Sequence, residues 1–246
     1  MSSWLEQIGW TTVDKGDGLL RVLVYGEAGS GKTMLASTFP DPFFIDTDHG
    51  LASIERKVPF ISLKRGDKVF DTCRSILRKA ENKEPPFDKV PIKTIVFDSV
   101  TSLADALLYE CLWYPGPGKS RRDPTITKPD WDDYNSIQNK LKTLMKGAQD
   151  IGLNVVATCG VKLERDEIRG TFVGKPNIVG GYRDVVAHDF DEVYFLNVVN
   201  SGKKWRYVAY TRKYSYFEAK SRTKLPSELE DITYEKLSEA LKGEVK

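Results

Sequence analysis

Short apolar runs alternate along the chain with segments in which apolar residues recur at helical spacing. Runs rich in β-branched and aromatic residues, bounded by Gly, Pro or Asp, are typical of buried strands. Such runs predict strands at Val22–Tyr25, Phe43–Asp46, Val58–Leu63, Ile92–Ser99, Asn154–Thr158, Val193–Val199, Trp205–Thr211 and Tyr216–Lys220. The helical spacing predicts helices at Met34–Thr38, Asp67–Ala80 and Leu103–Leu112, from Asp130 or Asp132 to Ile151, and at Tyr234–Leu241.

The order of these elements predicts an α/β fold. Strands alternate with helices early and strands dominate the tail, which favours a mostly parallel central sheet flanked by helices, with an antiparallel C-terminal edge. The polar, glycine-bearing segment Val161–Tyr182 is expected to form a hairpin or a mobile loop. We expect an N-terminal arm at 1–20, which covers the core or packs on a neighbouring subunit, and a single core domain at 21–246.

The composition excludes several classes of protein. The chain is 40% hydrophobic and 29% charged, as ordinary globular proteins are, and no apolar run is long enough for a membrane span. Its first residues lack the basic and apolar regions of a secretion signal. The cysteines and histidines lie too far apart in the sequence for the spacing of metal ligands; they are Cys73, Cys111, Cys159, His49 and His188. Three unpaired cysteines suit a reducing compartment, so we expect a cytoplasmic protein.

A glycine-rich motif follows the first strand. Gly26-Glu27-Ala28-Gly29-Ser30-Gly31-Lys32-Thr33 matches G-x-x-x-x-G-K-[ST] in full and lies between a predicted strand and a predicted helix, the context that this motif requires. The glycines let the backbone curl so that its N–H groups cradle phosphates. We expect Lys32 to reach the β- and γ-phosphates and Thr33 to hold Mg²⁺, so ATP and Mg²⁺ are the predicted cofactors.

Acidic residues follow two of the predicted strands. Asp98 ends an apolar strand, where its carboxylate is expected to hold Mg²⁺, and Ser99 can cap the next helix. Asp48 lies just beyond the carboxyl end of the second strand, where ligands gather in open α/β sheets. Asp48 is therefore the leading candidate to position or deprotonate an attacking water, with Asp46 as the alternative.

Several of these segments resemble the RecA recombinases. FFIDTDHGL (43–51) resembles their F-I-D-x-E-H-A-L segment, and IVFDSVTSL (95–103) is similar to their V-V-D-S-V-x-x-L. The resemblance implies that Asp48 takes the place of the catalytic glutamate. AKSRTKLP (219–226) is similar to the K-x-K-x-x-x-P run whose cations reach a neighbour's ATP. It implies that Lys220 and Arg222 act in trans within a homo-oligomer, a ring or a filament; a solvated basic edge is the alternative.

The resemblance runs from residue 21 to about 226 and has one clear departure. Where RecA ends its sensor strand with glutamine, this chain has Thr158-Cys159, although Gly180-Gly181 resembles the glycine pair after the DNA-binding loop. The set of motifs looks most like the phage-borne RecA-core ATPases, within the AAA-type P-loop superfamily. That likeness implies a role in single-strand annealing or phage recombination, in the host cytoplasm.

The distribution of charge independently suggests nucleic acid. Cations neutralise phosphates and aromatic rings stack on bases, a combination typical of single-strand binding. The tail interleaves cations with Trp205, Tyr207, Tyr210, Tyr214, Tyr216 and Phe217. The loop after the helix predicted at Leu103–Leu112 carries Lys119, Arg121, Arg122 and Lys128. We expect single-stranded DNA to contact chiefly residues 116–128 and 165–181; the alternative is that the aromatics are core and the cations solvated.

The sequence thus predicts a Mg²⁺-dependent ATPase of RecA-like fold that binds single-stranded DNA and supports phage-type recombination or annealing. Two alternatives stay open. One is a P-loop phosphotransferase for a small molecule, with residues 165–181 as its lid. The other is a nucleotide switch that does not bind DNA.

Overall fold

The computed structural model describes residues 18–167, 170–200, 202 and 204–242. Most of the arm predicted at 1–20 therefore lies outside the described residues. The strands are β1 (Arg21–Gly26), β2 (Pro42–Asp46), β3 (Phe60–Ser62), β4 (Thr94–Asp98), β5 (Asn154–Cys159), β6 (Val161–Asp166), β7 (Thr171–Pro176), β8 (Glu192–Asn200), β9 (Trp205–Tyr210), β10 (Lys220–Ser221) and β11 (Glu228–Glu230). The helices are α1 (Lys32–Ser37), α2 (Val69–Glu81), α3 (Val100–Trp113), α4 (Trp131–Asp150), α5 (Tyr182–Asp189) and α6 (Tyr234–Lys242).

The central sheet has the order β11-β9-β8-β1-β5-β4-β2-β3, and β10 also pairs with β8. The strands from β8 to β3 run parallel, whereas β9, β10 and β11 pair antiparallel at the C-terminal edge. The strand β5 lies between β1 and β4. This arrangement confirms the predicted α/β fold class, with a mostly parallel central sheet and an antiparallel C-terminal edge.

Helices cover both faces of the sheet, so its central strands are buried on each side. In β1, Leu23 and Tyr25 face one core, to which α2, α3, α4 and α5 contribute. Val22 and Val24 face the other core, to which α1 and α6 contribute. This two-faced burial explains why the strands read as continuous apolar runs.

Two helices begin at N-cap residues that the sequence analysis named as candidates. The Ser99 side chain accepts a hydrogen bond from the backbone N–H of Ser102 at the start of α3. Asp130, rather than Asp132, caps α4, because Asp130 and Asp133 each accept the other's backbone N–H in a capping box. The helix α3 begins three residues before its predicted start at Leu103, whereas α2 begins two residues after its predicted start at Asp67.

The tail departs most from the sequence prediction. The prediction of a strand at Tyr216–Lys220 is wrong, because only Lys220 of these residues pairs in a strand. Residues Tyr214–Phe217 form a turn instead, in which Ser215 has φ 53°. The Phe217 ring stacks on Phe195, with 3.7 Å between centroids, so packing rather than strand pairing buries it.

The segment predicted as a hairpin or mobile loop is a hairpin, β6–β7, followed by a helix that the sequence prediction missed. Gly180, with φ 74°, and Gly181 lead directly into α5.

Candidate functional site

The glycine-rich strand and both acid-bearing strands end at one edge of the sheet. β1 ends at Gly26, β2 at Asp46, β4 at Asp98 and β5 at Cys159. Because these strands are parallel, their carboxyl ends meet at one edge, where ligands of open α/β sheets bind. The predicted P-loop and the candidate acids are therefore neighbours in space.

The P-loop glycines are required by the backbone. Gly29 and Gly31 have φ 77° and 88°, in the left-handed region that favours glycine. A Cβ on Gly26 would lie 2.3 Å from the backbone oxygen of Leu196 in β8. The motif thus fixes both the curl of the loop and its close contact with the sheet.

The Lys32 ammonium lies inside this loop. It donates hydrogen bonds to the carbonyl oxygens of Gly26 at 3.0 Å and Glu27 at 2.7 Å. Burial lowers the pKa of Lys32, and the nearby carboxylates Asp98 and Asp48 oppose that shift. The two backbone carbonyls thus hold the ammonium within the loop.

Two hydroxyls converge on the buried carboxyl of Asp98. Thr33 Oγ1 donates to Oδ2 at 2.9 Å, and Thr158 Oγ1 donates to Oδ1. Burial raises the pKa of Asp98, the two hydroxyls oppose this, and the charges of Asp48 and Asp46 raise it further. Strands β4 and β5 and the P-loop thus bring three oxygen-bearing side chains to one point.

Oxygen donors of this kind fit Mg²⁺, which usually takes one or two carboxylates and completes its shell with water and phosphates. Within the described residues, no three His, Cys, Asp or Glu side chains cluster as a metal site of their own. The Asp98 and Thr33 oxygens therefore suit a metal that arrives together with a nucleotide.

Asp46 and Asp48 differ in what their carboxylates do. Asp46 is buried, and its Oδ1 accepts the backbone N–H of Asp48 at 3.2 Å and of His49 at 2.8 Å, which fixes the turn after β2. Asp48 lines the pocket at the P-loop and accepts a hydrogen bond from the Ser102 hydroxyl of α3. Of the two acids, Asp48 is the one whose carboxylate faces the pocket.

An open pocket of ≈ 440 Å³ lies between the P-loop and the acids, within the size range of small-molecule sites. Its lining includes the Lys32 ammonium and the Asp48 carboxylate. The pocket is lined by Gly26, Glu27, Ala28, Lys32, Asp48, Ser99, Thr101, Ser102, Gly160 and Val161.

A hydrogen-bond network ties this pocket to the β6–β7 hairpin. The Thr101 hydroxyl accepts the Gly160 N–H at 2.9 Å and donates to the Asn177 carbonyl at 2.7 Å. The Asn177 N–H in turn donates to the Gly160 carbonyl at 2.8 Å. Both ends of the hairpin are therefore held by one residue in the first turn of α3.

The two faces of the hairpin differ in their contacts. Glu164 pairs with Arg183 and Lys175 with Asp184, both at 2.9 Å, so this face rests on α5. Register places Leu163 and Phe172 on the opposite face, where they are 49% and 59% exposed. The hairpin thus presents apolar side chains beside the pocket.

Lys220 and Arg222 lie away from the P-loop of their own chain. Lys220 pairs with Val193 near the start of β8, whereas the P-loop begins level with Leu196. Arg222 forms an ion pair with Asp191 at 2.6 Å. Burial, followed by the charge of Arg222, lowers the pKa of Lys220. Neither side chain is among those that line the pocket.

Three cations of the loop at 116–128 have partners within the chain. Arg122 binds Asp130 and Asp133, Lys119 pairs with Asp132 at 3.6 Å, and the Arg121 guanidinium lies 3.3 Å from the Trp113 ring centroid. These contacts account for much of the charge that suggested DNA at this loop.

The aromatic tail is divided between core and surface. Tyr210 is buried and stacks on Tyr214 at 3.7 Å, and Phe217 is partly buried against the core. Trp205, Tyr207, Tyr214 and Tyr216 are 63%, 44%, 38% and 38% exposed.

Sequence reasoning missed the hydroxyls of α3. Thr101 and Ser102 follow Asp98 by three and four residues, so the first helical turn after β4 points them into the pocket and toward the hairpin. The signal available in the sequence was the run of hydroxyl residues directly after the strand-end acid.

The sequence profile of the AAA_24 family, described as an AAA domain, matches residues 19–223. None of the curated proteins compared with this chain matches it. Among solved structures, a KaiC-like protein from the hyperthermophilic archaeon Pyrococcus horikoshii OT3 is similar at 15% identity with a TM-score of 0.47, over 79% of this chain and 78% of that one. Within the described ranges, no helix combines the length and apolarity needed to cross a bilayer.

Proposed function

Because the chain belongs to the AAA_24 family of AAA domains, a P-loop ATPase family, we propose that it binds and hydrolyses ATP with Mg²⁺ at the P-loop pocket. The observation that carries this proposal is the convergence of the Thr33 and Thr158 hydroxyls on Asp98, beside the loop that holds Lys32. A glycine-rich turn that binds no ligand would not need the buried Asp98 carboxylate beside it.

Each residue has a role that its position supports. The backbone N–H groups of Gly29 to Thr33 cradle the phosphates, and the Lys32 ammonium reaches the β- and γ-phosphates. Asp98 and Thr33 hold Mg²⁺. When bound, Mg²⁺ would supply positive charge at the phosphates, in addition to that of the Lys32 ammonium.

Asp48 positions the attacking water in this proposal. Its carboxylate lines the same pocket as Lys32, and the Ser102 hydroxyl holds it in place. Asp46 is already engaged by two backbone N–H groups, so it supports Asp48 rather than replacing it. An aspartate is one methylene shorter than glutamate, and the contact with Ser102 on α3 compensates by fixing its direction.

We extend the proposal to single-stranded DNA and to a recombination or annealing role. The support is the resemblance to RecA-core ATPases together with the β6–β7 hairpin. On one face the hairpin exposes the Phe172 and Leu163 side chains, and Arg165 lies directly opposite Phe172 in the register. Thr101 links the hairpin to the nucleotide pocket, so occupancy of the pocket can change the hairpin. We favour the hairpin over the loop at 116–128, because three cations of that loop, Lys119, Arg121 and Arg122, already have partners within the chain.

The proposal also includes a homo-oligomer in which Lys220 and Arg222 approach a neighbour's nucleotide. Their position near the start of β8, outside their own pocket, is consistent with action in trans. Arg222 must then exchange its contact with Asp191 for the phosphate of the neighbour.

The test is steady-state phosphate release from Mg²⁺–ATP by the full chain, with and without a single-stranded oligonucleotide. We expect a DNA-stimulated rate that Asp48→Asn reduces by about 10²- to 10⁴-fold, the range for loss of a general base. Asp71→Asn, an exposed carboxylate at the start of α2, is the matched control and should leave the rate unchanged.

The DNA part of the proposal has its own comparison. Phe172→Ala should reduce the affinity for the oligonucleotide, whereas Phe60→Ala, 55% exposed on the far edge strand β3, should not. If the oligonucleotide neither binds nor changes the rate, the DNA role is wrong even where ATP hydrolysis persists.

A further inference from the structure

The β8–β9 ribbon extends beyond the P-loop. Gly26 is level with Leu196, β8 continues four residues further to Asn200, and β9 begins opposite it at Trp205. At about 3.3 Å per residue, the ribbon projects roughly 13 Å past the start of the loop. The part of the ribbon beyond Leu196 thus lies alongside the loop proposed to hold the phosphates.

One ring of this ribbon lies directly on the loop. A Cβ on Gly31 would be 3.2 Å from Tyr207 Cδ1 and 3.7 Å from Cε1, so the ring packs against the last glycine of the motif. The side chain is nevertheless 44% exposed. Contact with Gly31 therefore leaves a large part of the ring open to a ligand.

The ring is on the side of the sheet that carries α1. Tyr207 and Ala209 are two residues apart on β9 and point to the same face. Ala209 packs with Leu35 and Ala36 of α1, the helix that begins at Lys32. Trp205 follows the same alternation and is 63% exposed. An aromatic face thus continues outward from the loop on the side of α1.

We propose that Tyr207 stacks on the base of the nucleoside triphosphate whose phosphates the P-loop binds, with Trp205 as an adjoining aromatic surface. A flat, half-exposed ring in contact with the loop is placed for the base once the phosphates are held. The inference rests on the proposed nucleotide site and adds how the base is recognised. Because every base has a π-face, stacking on Tyr207 tolerates adenine and guanine alike.

The assignment removes Tyr207 from the aromatics that the sequence suggested for DNA. Its ring faces the nucleotide loop, whereas Tyr214 and Tyr216 lie at the turn beside the hairpin. The tail aromatics therefore divide by position into a base platform and a separate group near β7.

The test is calorimetric titration of the full chain with ATP, GTP and inorganic tripolyphosphate, each with Mg²⁺. Tyr207→Ala should weaken the binding of ATP and of GTP by roughly 5- to 150-fold, the range for loss of one base–aromatic stack. It should leave tripolyphosphate affinity within about twofold, because that probe has no base. Tyr207→Phe retains the ring and should bind all three as the wild type does.

Tyr114→Ala is the matched control. Tyr114 is 45% exposed, but it follows the far end of α3, whose 14 residues span about 21 Å from the pocket. This variant should bind ATP normally, and thermal melting without ligand verifies that each variant is folded.

Two results overturn the inference while leaving the nucleotide site in place. Unchanged ATP affinity in Tyr207→Ala shows that the ring does not meet the base. Equal losses of ATP and tripolyphosphate show that the ring only supports Gly31. If the wild type binds neither ATP nor tripolyphosphate, the nucleotide site itself is wrong and the inference falls with it.

Discussion

The hydroxyl of Thr158 offers a sharp test of how the centre of the site is held together. Thr158 is fully buried in β5, and its hydroxyl donates a hydrogen bond to the Asp98 carboxyl. That carboxyl is also buried. Thr158→Val preserves the shape of the side chain and removes only the donor. The carboxyl then keeps Thr33 as a partner on one oxygen and has lost Thr158 on the other.

The size of the effect follows from the charge of the acceptor. Hydrogen bonds to charged groups contribute about 1.5–3 kcal/mol to stability, against about 0.5–1.5 kcal/mol for neutral pairs. Thr94→Val supplies the neutral case, because Thr94 is equally buried and donates to the Pro40 carbonyl at 2.7 Å. We expect Thr158→Val to cost about 1–2 kcal/mol more than Thr94→Val.

Urea unfolding of the ligand-free protein at neutral pH measures both variants, with the free energy of unfolding taken by linear extrapolation. For a chain of this size, each kcal/mol lowers the melting temperature by about 2–4 °C, so scanning calorimetry gives a second value. If Thr158→Val is no less stable than Thr94→Val, the hydroxyl does not support a charged Asp98, and the account of the centre is wrong.

Three further predictions rest on other parts of the structure. Gly26→Ala places a Cβ 2.3 Å from a backbone oxygen of the neighbouring strand, so we expect a loss of about 1–3 kcal/mol in urea unfolding; equal stability would contradict that contact. Burial raises the pKa of Cys73 and Cys159 to about 12, so at pH 8 only about 10⁻⁴ of each thiol is ionised. A disulfide reagent should therefore label them only after denaturation, and fast labelling of the folded protein would refute their burial. Mixing Arg222→Ala with Lys32→Ala should restore ATP hydrolysis that each variant lacks alone, because one subunit supplies the cation and the other the loop; no recovery would argue against action in trans.

Local sequence patterns were sufficient to predict most strands of the sheet and the P-loop. The runs at β1, β2, β4 and β5 are buried on both faces, and such runs are recognisable without knowledge of their neighbours. Gly29 and Gly31 occupy left-handed positions that the motif spacing already required. The placement of Asp98 at the end of β4 followed from the same apolar run.

Long-range packing determined what sequence reasoning missed. Tyr216 and Phe217 are consecutive aromatic residues, which are typical of a strand, but stacking of Phe217 on Phe195 holds them in a turn instead. The helix α5 is polar on the face where Arg183 and Asp184 pair with the hairpin, so its apolar periodicity is weak. The contact of Tyr207 with Gly31 joins residues 176 positions apart, and no local pattern predicts it.

The most direct test of the central claim, an ATP site at the P-loop, is calorimetric titration of Mg²⁺–ATP into the wild type and into Lys32→Ala. The account predicts saturable binding to the wild type and none to the variant, with the two proteins equally folded by circular dichroism. ATP binding that Lys32→Ala retains at wild-type affinity would contradict the assignment of the phosphate site.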